Sequence, residues 1–332
     1  MSKKLLILSL TTLPFTAFAD HASIGLGVGL ASPIATESGI TLPEGMISTG
    51  FRSEYIKFDE YSDAKLQELR AKDAEADLHS VESLWSLSVS AAYGLTDDLT
   101  IGVRVPFMMR HDIREPEHDH DGPGAPIESL GNVEGIGDTT FYSQYRFFKN
   151  EGTNISVLLG IKTPTGKTSR STLHDGEVEI LDAEFQPGSG SWDGILGLAF
   201  TQQINAFSIA ASTVYTIASE GTQDTDLGDI FSYNFALSYR LLGQKGISYE
   251  APKFALDTII EFNGEWRDKE QNSNVKDDNS GGNIAYISPG LRFIAGNNIS
   301  IGASFGIPIV QNTNGNQVEP DYRVISSINF SF

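Results

Sequence analysis

From residue 46 to its end the chain repeats one pattern. Apolar and polar side chains alternate over stretches about as long as a membrane strand. In Leu99 to Phe107, Leu99, Ile101, Val103, Val105 and Phe107 share one face, and Thr100, Gly102 and Arg104 share the other. The same period of two recurs in Phe231 to Leu241 and in Ile299 to Ile309. It predicts strands near 46–58, 82–95, 99–110, 136–148, 154–164 and 192–202, then near 206–218, 229–242, 253–267, 284–295, 299–310 and 320–332. About twelve strands is an even count, as a bacterial barrel needs when both chain ends lie on the periplasmic side. The predicted fold is all-β, a transmembrane antiparallel up-and-down barrel over residues 44–332.

The connections between these segments sort by length. Short links follow the even-numbered strands: Thr96 to Asp98, Lys149 to Thr153, Gln203 to Asn205 and Gly296 to Asn298, with Gly243 to Pro252 longer. Long polar segments follow the odd-numbered ones: 59–81, 111–135, 165–191, 219–228, 268–283 and 311–319. Short periplasmic turns alternating with long outer loops belong to membrane barrels.

Charge parity tests the assignment independently. Once apolar residues define the lipid face of each strand, Arg52, Arg104, Arg146, Lys162, Arg240, Arg267, Arg292 and Arg323 all take the inward parity. So do Glu54, Asp138, Asp193, Asp257, Glu261 and Glu265. An arginine facing lipid at the midplane costs roughly 2–4 kcal/mol, and a one-residue slip would put one there. Lys57 breaks parity at a strand end, where a long side chain snorkels. Phe51, Tyr55, Trp85, Tyr93, Phe141, Tyr145, Tyr215, Tyr239 and Trp266 suit interfacial girdles. Pro106 and Pro308 call for bulges or strand ends, whereas Pro289 lies deep in a strand with no sequence rationale. The last segment ends at Phe332, with Tyr322, Val324, Ile328 and Phe330 on the same face. It is expected to close the sheet on the first strand and to be read by the barrel-insertion machinery.

The N-terminus adds an address. Lys3 and Lys4 precede a short apolar run from Leu5 to Leu13, Pro14 ends it, and Ala17, Phe18 and Ala19 form a small-x-small cleavage site. A signal peptide over 1–19 is expected, placing the mature protein in the outer membrane of a Gram-negative cell in contact with outer-membrane lipid and lipopolysaccharide. Without cysteine there is neither a disulfide framework nor an acylation site. The 43 acidic and 23 basic residues give a net charge of −20, which excludes nucleic acid as a natural partner. No cofactor is expected.

Three motifs in order carry a resemblance: Gly135 to Phe147 (GIGDTTFYSQYRF), Gly160 to Gly166 (GIKTPTG) and Pro187 to Asp193 (PGSGSWD). Together they resemble the outer-membrane family of meta-pathway phenol-degradation, transporter-like proteins, best over the middle of the chain. The resemblance implies a small barrel associated with uptake or export of small, often apolar or aromatic, molecules. The residues themselves read as structure: Gly135 and Gly137 where a loop enters a strand, and Pro164 to Gly166 as a turn.

Several segments carry candidate function. Residues 20–43, with the glycine-rich run Ile24 to Leu30, are either a plug folded into the lumen or an ordered periplasmic tail or additional short strand. His111, His118 and His120 stand among carboxylates in 111–121 as weak metal candidates, against a solvated acidic loop. Ser62 to Asp77 reads as a loop helix capped by Ser62 or Asp63, with Glu68 and Lys72 paired. The inward charges either orient a polar solute across an open lumen or pair within a filled one. The leading function is therefore a channel or transporter for a small-molecule solute. The alternatives are an adhesive barrel with acidic, cation-binding outer loops and a barrel enzyme, for which His79-Ser80 and His174-Asp175 show no recognisable motif.

Overall fold

The alternation becomes a wall. In the computed structural model, which describes residues 33–73, 78–117, 124–174, 177–243, 254–296 and 298–332, the strands are long and antiparallel. In order they are β1 (Ile47–Asp59), β2 (Ser83–Thr96), β3 (Leu99–Pro116), β4 (Ile127–Ile136), β5 (Thr139–Asn150) and β6 (Thr153–Thr163). Next come the short β7 (Ser171–His174) and β8 (Glu177–Ile180), then β9 (Asp193–Ile204), β10 (Phe207–Ile217), β11 (Thr225–Asp226) and β12 (Ile230–Gly243). The last are β13 (Phe254–Arg267), β14 (Gln271–Asn272), β15 (Val275–Lys276), β16 (Gly282–Ala295), β17 (Ile299–Thr313) and β18 (Glu319–Ser331). Twelve of them close into a barrel, ordered β1, β2, β3, β5, β6, β9, β10, β12, β13, β16, β17, β18 and back to β1. The closing pair is β1 with β18, and Ile47 and Phe332 exchange backbone hydrogen bonds at its end, so no edge faces lipid.

The side chains follow the predicted parity. On β2, Trp85, Val89 and Tyr93 face out, while Leu84, Ser86, Ser88 and Ala92 are buried inside. Phe51, Phe141, Leu159 and Leu196 continue the outer apolar band on neighbouring strands. Tyr55, Tyr215 and Trp266 are partly buried girdle residues. Lys57 sits at the long-loop end of β1, where its ammonium meets Glu82 at 3.3 Å and Glu60 at 3.5 Å.

The structure departs from the sequence reading at the outer end. Part of the loop expected over 111–135 is strand: β3 runs on to Pro116 and its far half pairs with β4. β4 then passes through Gly137 and Asp138 into β5, which pairs with the near half of β3. The Gly137 N–H donates to the Pro106 carbonyl at 2.9 Å, so Pro106 lies at this break in the ladder. Pro308 lies at a register shift between β16 and β17. Pro289 faces lipid opposite Ile260, and the ladder to β17 is interrupted at Ser288 and Pro289, which accommodates the missing donor.

The outer loops have their own core. α1 (Asp63–Lys72) is capped by Ser62, which accepts from the Lys65 N–H, and Lys72 meets Glu68 at 2.5 Å. It buries Leu66 and Leu69. Ile56, Phe58, Leu84, Ile113, Val133 and Phe185 form an apolar cluster that binds β1, β2, β3 and β4 to the loop after β6. That loop carries the β7–β8 hairpin and a single turn, Ala183–Phe185, while β11, β14 and β15 form a separate small sheet.

Candidate functional site

Residues 33–43 do not join the wall. The chain turns at Pro43 to Met46, where the Met46 N–H donates to the Pro43 carbonyl at 3.1 Å, and the residues before the turn run inside the barrel. A backbone without a sheet needs other partners, and the inward serines, threonines and glutamine supply them. The Leu42 N–H donates to Thr100 Oγ1 at 2.8 Å, and the Gly39 N–H donates to Thr201 Oγ1 at 2.9 Å. Ser156 Oγ donates to the Gly39 carbonyl and Gln144 Nε2 to the Ser38 carbonyl, each at 2.6 Å.

The far end of the segment is latched by one carboxylate. The N–H groups of Ile34, Ala35 and Thr36 reach Glu261 at 3.3, 3.0 and 2.9 Å. Arg52 Nη1 donates to the Ile34 carbonyl at 2.8 Å. Consecutive N–H groups aimed at one point form an anion-binding concavity, and bonds to a charged acceptor are the stronger kind. Glu261 is fully buried. Between latch and turn, Ile40, Leu42 and Met46 pack on Ala92, Tyr142, Leu158, Ile195, Ala199 and Val214 of the inner wall.

The other inward charges lie in groups. Near the short-turn end, Asp257 lies between Arg240, which reaches it through Nε and Nη2, and Arg292, 2.9 Å away. Arg146 meets Asp98 at 2.7 Å and Asn154 at 3.2 Å. Deeper inside, Glu54 takes Arg52 at 3.3 Å and Arg323 at 3.5 Å, and Arg323 stacks 4.1 Å from the centre of the Tyr286 ring. Arg267 meets Glu265 at 3.5 Å. Lys162 bridges Asp193 and Asp138, the latter at 3.7 Å, and Arg104 is buried on the inner face of β3. Pairing of this kind matches the filled-interior alternative. It is weak evidence of net stability, although removing one partner of a buried pair is costly. Sequence reasoning passed over Arg110, which shares the parity of Arg104 and donates to the Phe185 and Gln186 carbonyls at 3.3 and 3.4 Å.

The three sequence motifs meet at Asp138. Its carboxylate accepts the Gly166 N–H at 2.8 Å, and the Ser189 N–H and hydroxyl at 2.7 Å each. Ser189 Oγ contacts Ser191 Oγ at 2.7 Å, and Ser191 donates to Asp193 at 2.7 Å. Gly166 and Gly188 pass so closely that a Cβ on either would lie 2.6 Å from the other's Cα, which requires glycine at both. The clamp folds residues 186–189 over the barrel interior. Outside it, a cavity of about 540 Å³ is lined by Glu115, Glu117, Glu128, Glu179, Asp182 and Glu184 among others.

The remaining candidates are dispersed. His111 lies on β3 opposite Ser83, and His118 and His120 are outside the described residues. Among the described residues no group of three histidine, cysteine or carboxylate side chains is arranged to hold a metal. His79 faces Glu184 at 3.3 Å and packs edge-on against Phe185, while Ser80 Oγ accepts the Tyr61 N–H at 2.9 Å. Asp175 is outside the described residues, as are the proposed signal peptide and residues 20–32.

Solved structures with the same architecture include an outer membrane channel from Pseudomonas putida F1, with a TM-score of 0.54 and 14% identity, covering 88% of this chain and 97% of that one. The β domain of the Bordetella autotransporter BrkA aligns with a TM-score of 0.48 and 10% identity, over 88% of this chain and 100% of that one. The toluene transporter TodX of P. putida aligns with a TM-score of 0.44 and 12% identity, over 92% and 98%. A search of curated proteins found no match. The sequence model of the family described as "Putative MetA-pathway of phenol degradation" matches residues 115–315, more than half of the chain, and the chain belongs to that family.

Proposed function

We propose that the protein is an outer-membrane channel for small molecules whose lumen is closed at rest by residues 33–43. The observation that carries this reading is the seating of that segment. Its backbone is held by side chains of five or more different wall strands, and its end is latched to Glu261 through three consecutive N–H groups. Such an attachment is made of separate, reversible contacts inside a wall that is already complete without it.

The reading also reconciles a charged interior with an apolar solute. Beneath Ile40 and Leu42, apolar side chains of β2, β5, β6, β9 and β10 form a strip beside the polar groups that hold the backbone. Displacing the segment uncovers that strip and gives an apolar molecule a path that avoids the paired charges. The family description, with its reference to phenol degradation, accords with such a solute. The P. putida F1 fold neighbour is named an outer membrane channel, which accords with the channel reading.

Planar-bilayer recording of the purified protein tests the proposal, with folding checked by heat-modifiable gel mobility. The whole protein is expected to pass a small current and a variant lacking residues 22–40 a clearly larger one. An unchanged current excludes the plug, and flat traces from both proteins exclude the channel.

A further inference from the structure

Beside the inward-folded residues 186–189 lies a partly open chamber of about 150 Å³. Its lining is unusual for so small a space inside a membrane. Arg104, Arg110, Lys162 and Arg267 border it, with Asp138 as the one lining carboxylate. All three arginines are more than nine-tenths buried. Glu54 and Glu37 act on Arg104 from behind, and Asp193 and Glu265 meet Lys162 and Arg267, but none of these four lines the chamber.

Ser86 Oγ, Thr216 Oγ1 and Arg267 Nε all belong to lining residues, all are buried, and none has a hydrogen-bond partner among the described residues. Buried polar groups in folded proteins are normally satisfied, and a cluster of exceptions asks for an explanation. Each of these three groups can donate, and a guanidinium can only donate. These three donors lack an acceptor among the described residues. Pro106, Met108, Ile195, Leu227 and Ile230 supply an apolar part of the chamber wall, and Thr140, Gln186 and Ser189 further polar groups.

We propose that this chamber is a binding station for a small solute carrying one carboxylate on a compact apolar body. The carboxylate accepts from Arg267 Nε, Ser86 and Thr216, with Arg104 and Arg110 adding positive charge to the wall, and the body lies against Met108, Ile195 and Ile230. The space is too small for a drug-sized ligand. The acidic outer cavity lies across the turn Ala183–Phe185. Charges along an approach route alter the rate of arrival more than equilibrium affinity, and salt screens them. The inference rests on the channel reading, to which it adds a preferred solute charge.

The test uses the full chain refolded in detergent, with benzoate as probe and benzyl alcohol as its neutral counterpart, both followed by calorimetry and saturation-transfer NMR. Benzoate is expected to bind at least tenfold more tightly than benzyl alcohol and to weaken as salt rises. Ser86→Asp is expected to weaken benzoate at least tenfold and leave benzyl alcohol within twofold, while Ser86→Asn changes both by less than threefold. Equal binding of the two probes, or equal losses in both variants, overturns the proposal. Where Ser86→Asp does not fold, the probe and salt comparisons on the wild-type protein still decide. Benzoate binding without current in the bilayer overturns the channel reading and leaves the station standing. Current without benzoate preference does the reverse.

Discussion

The two ends of residues 33–43 are held by different physics. Around Ile40 and Leu42 the segment lies on an apolar wall built from β2, β5, β6, β9 and β10. Around Ile34 to Thr36 it is held by Glu261 on β13, with Arg52 also bonded to Ile34, Asp257 and its arginines further along the same strand, and Glu54 paired with Arg52. Apolar contact is non-directional and tolerates sliding. A carboxylate latch on three N–H groups fixes one register and fails when its charge or position is lost. The difference suggests a segment that rests on one side and is locked on the other, so that release begins at Glu261.

The largest effect is expected where the charged side supports the wall itself. Asp257→Ala leaves Arg240 and Arg292 buried without the carboxylate they share. Breaking a buried pair this way costs about 3–5 kcal/mol. Urea unfolding of the refolded barrel should show it as a lower midpoint. An unchanged midpoint would mean that the charged side is wet enough to be no different from the apolar one.

Next in size is the latch. Glu261→Ala removes the acceptor of three backbone N–H groups. Hydrogen bonds to a charged group are worth roughly 1.5–3 kcal/mol, and water entering the lumen recovers part of that. The chain has no cysteine, so Thr36→Cys gives a single reporter at a buried position. Its rate of maleimide labelling measures how often the segment lifts. The rate should rise at least tenfold with Glu261→Ala. Leu42→Ala should act more weakly on that reporter although it removes a fully buried side chain. Burial of a leucine is worth about 1.5–3 kcal/mol, but the neighbouring apolar contacts remain and the latch still fixes Thr36. A larger response to Leu42→Ala than to Glu261→Ala would invert the comparison.

The wall of the barrel was legible in the sequence because lipid and lumen impose opposite requirements on alternate residues. Arg104 and Val103 are adjacent in the chain and meet different solvents. Strand β4 was not legible. Ile127 to Ile136 mixes parities around Gly131, whose φ of 71° breaks the pleat, and it pairs with a stretch of β3 that is itself irregular at Asp112. The latch was only half legible. Glu261 stood out by parity, but its partners are backbone N–H groups, which every residue except proline carries, so no side chain of Ile34, Ala35 or Thr36 announces them. The clamp at Asp138 was visible as three strings that carried a family resemblance but no geometry, because Gly166 and Ser189 are brought to it by a loop closure that leaves no period in the chain.

The smallest predicted effect is also the one that separates the two sides most finely. Thr201 lies on the apolar side, yet its hydroxyl accepts the Gly39 N–H at 2.9 Å and contacts Ser38 Oγ at 3.0 Å. Thr201→Val keeps the shape and removes the oxygen. A neutral hydrogen bond contributes a net 0.5–1.5 kcal/mol or so, with more lost if the Gly39 N–H stays buried without a partner. Because the apolar packing and the hydrogen bonds with Thr100, Gln144 and Ser156 remain, labelling at Thr36→Cys should rise no more than about threefold to tenfold in Thr201→Val. The increase should also add to that of Glu261→Ala, because the two sites share no partner. A combined effect well short of the product of the two would mean that freeing Glu261 already strips Gly39 from Thr201, so that the segment leaves the wall as a unit rather than from its latched end.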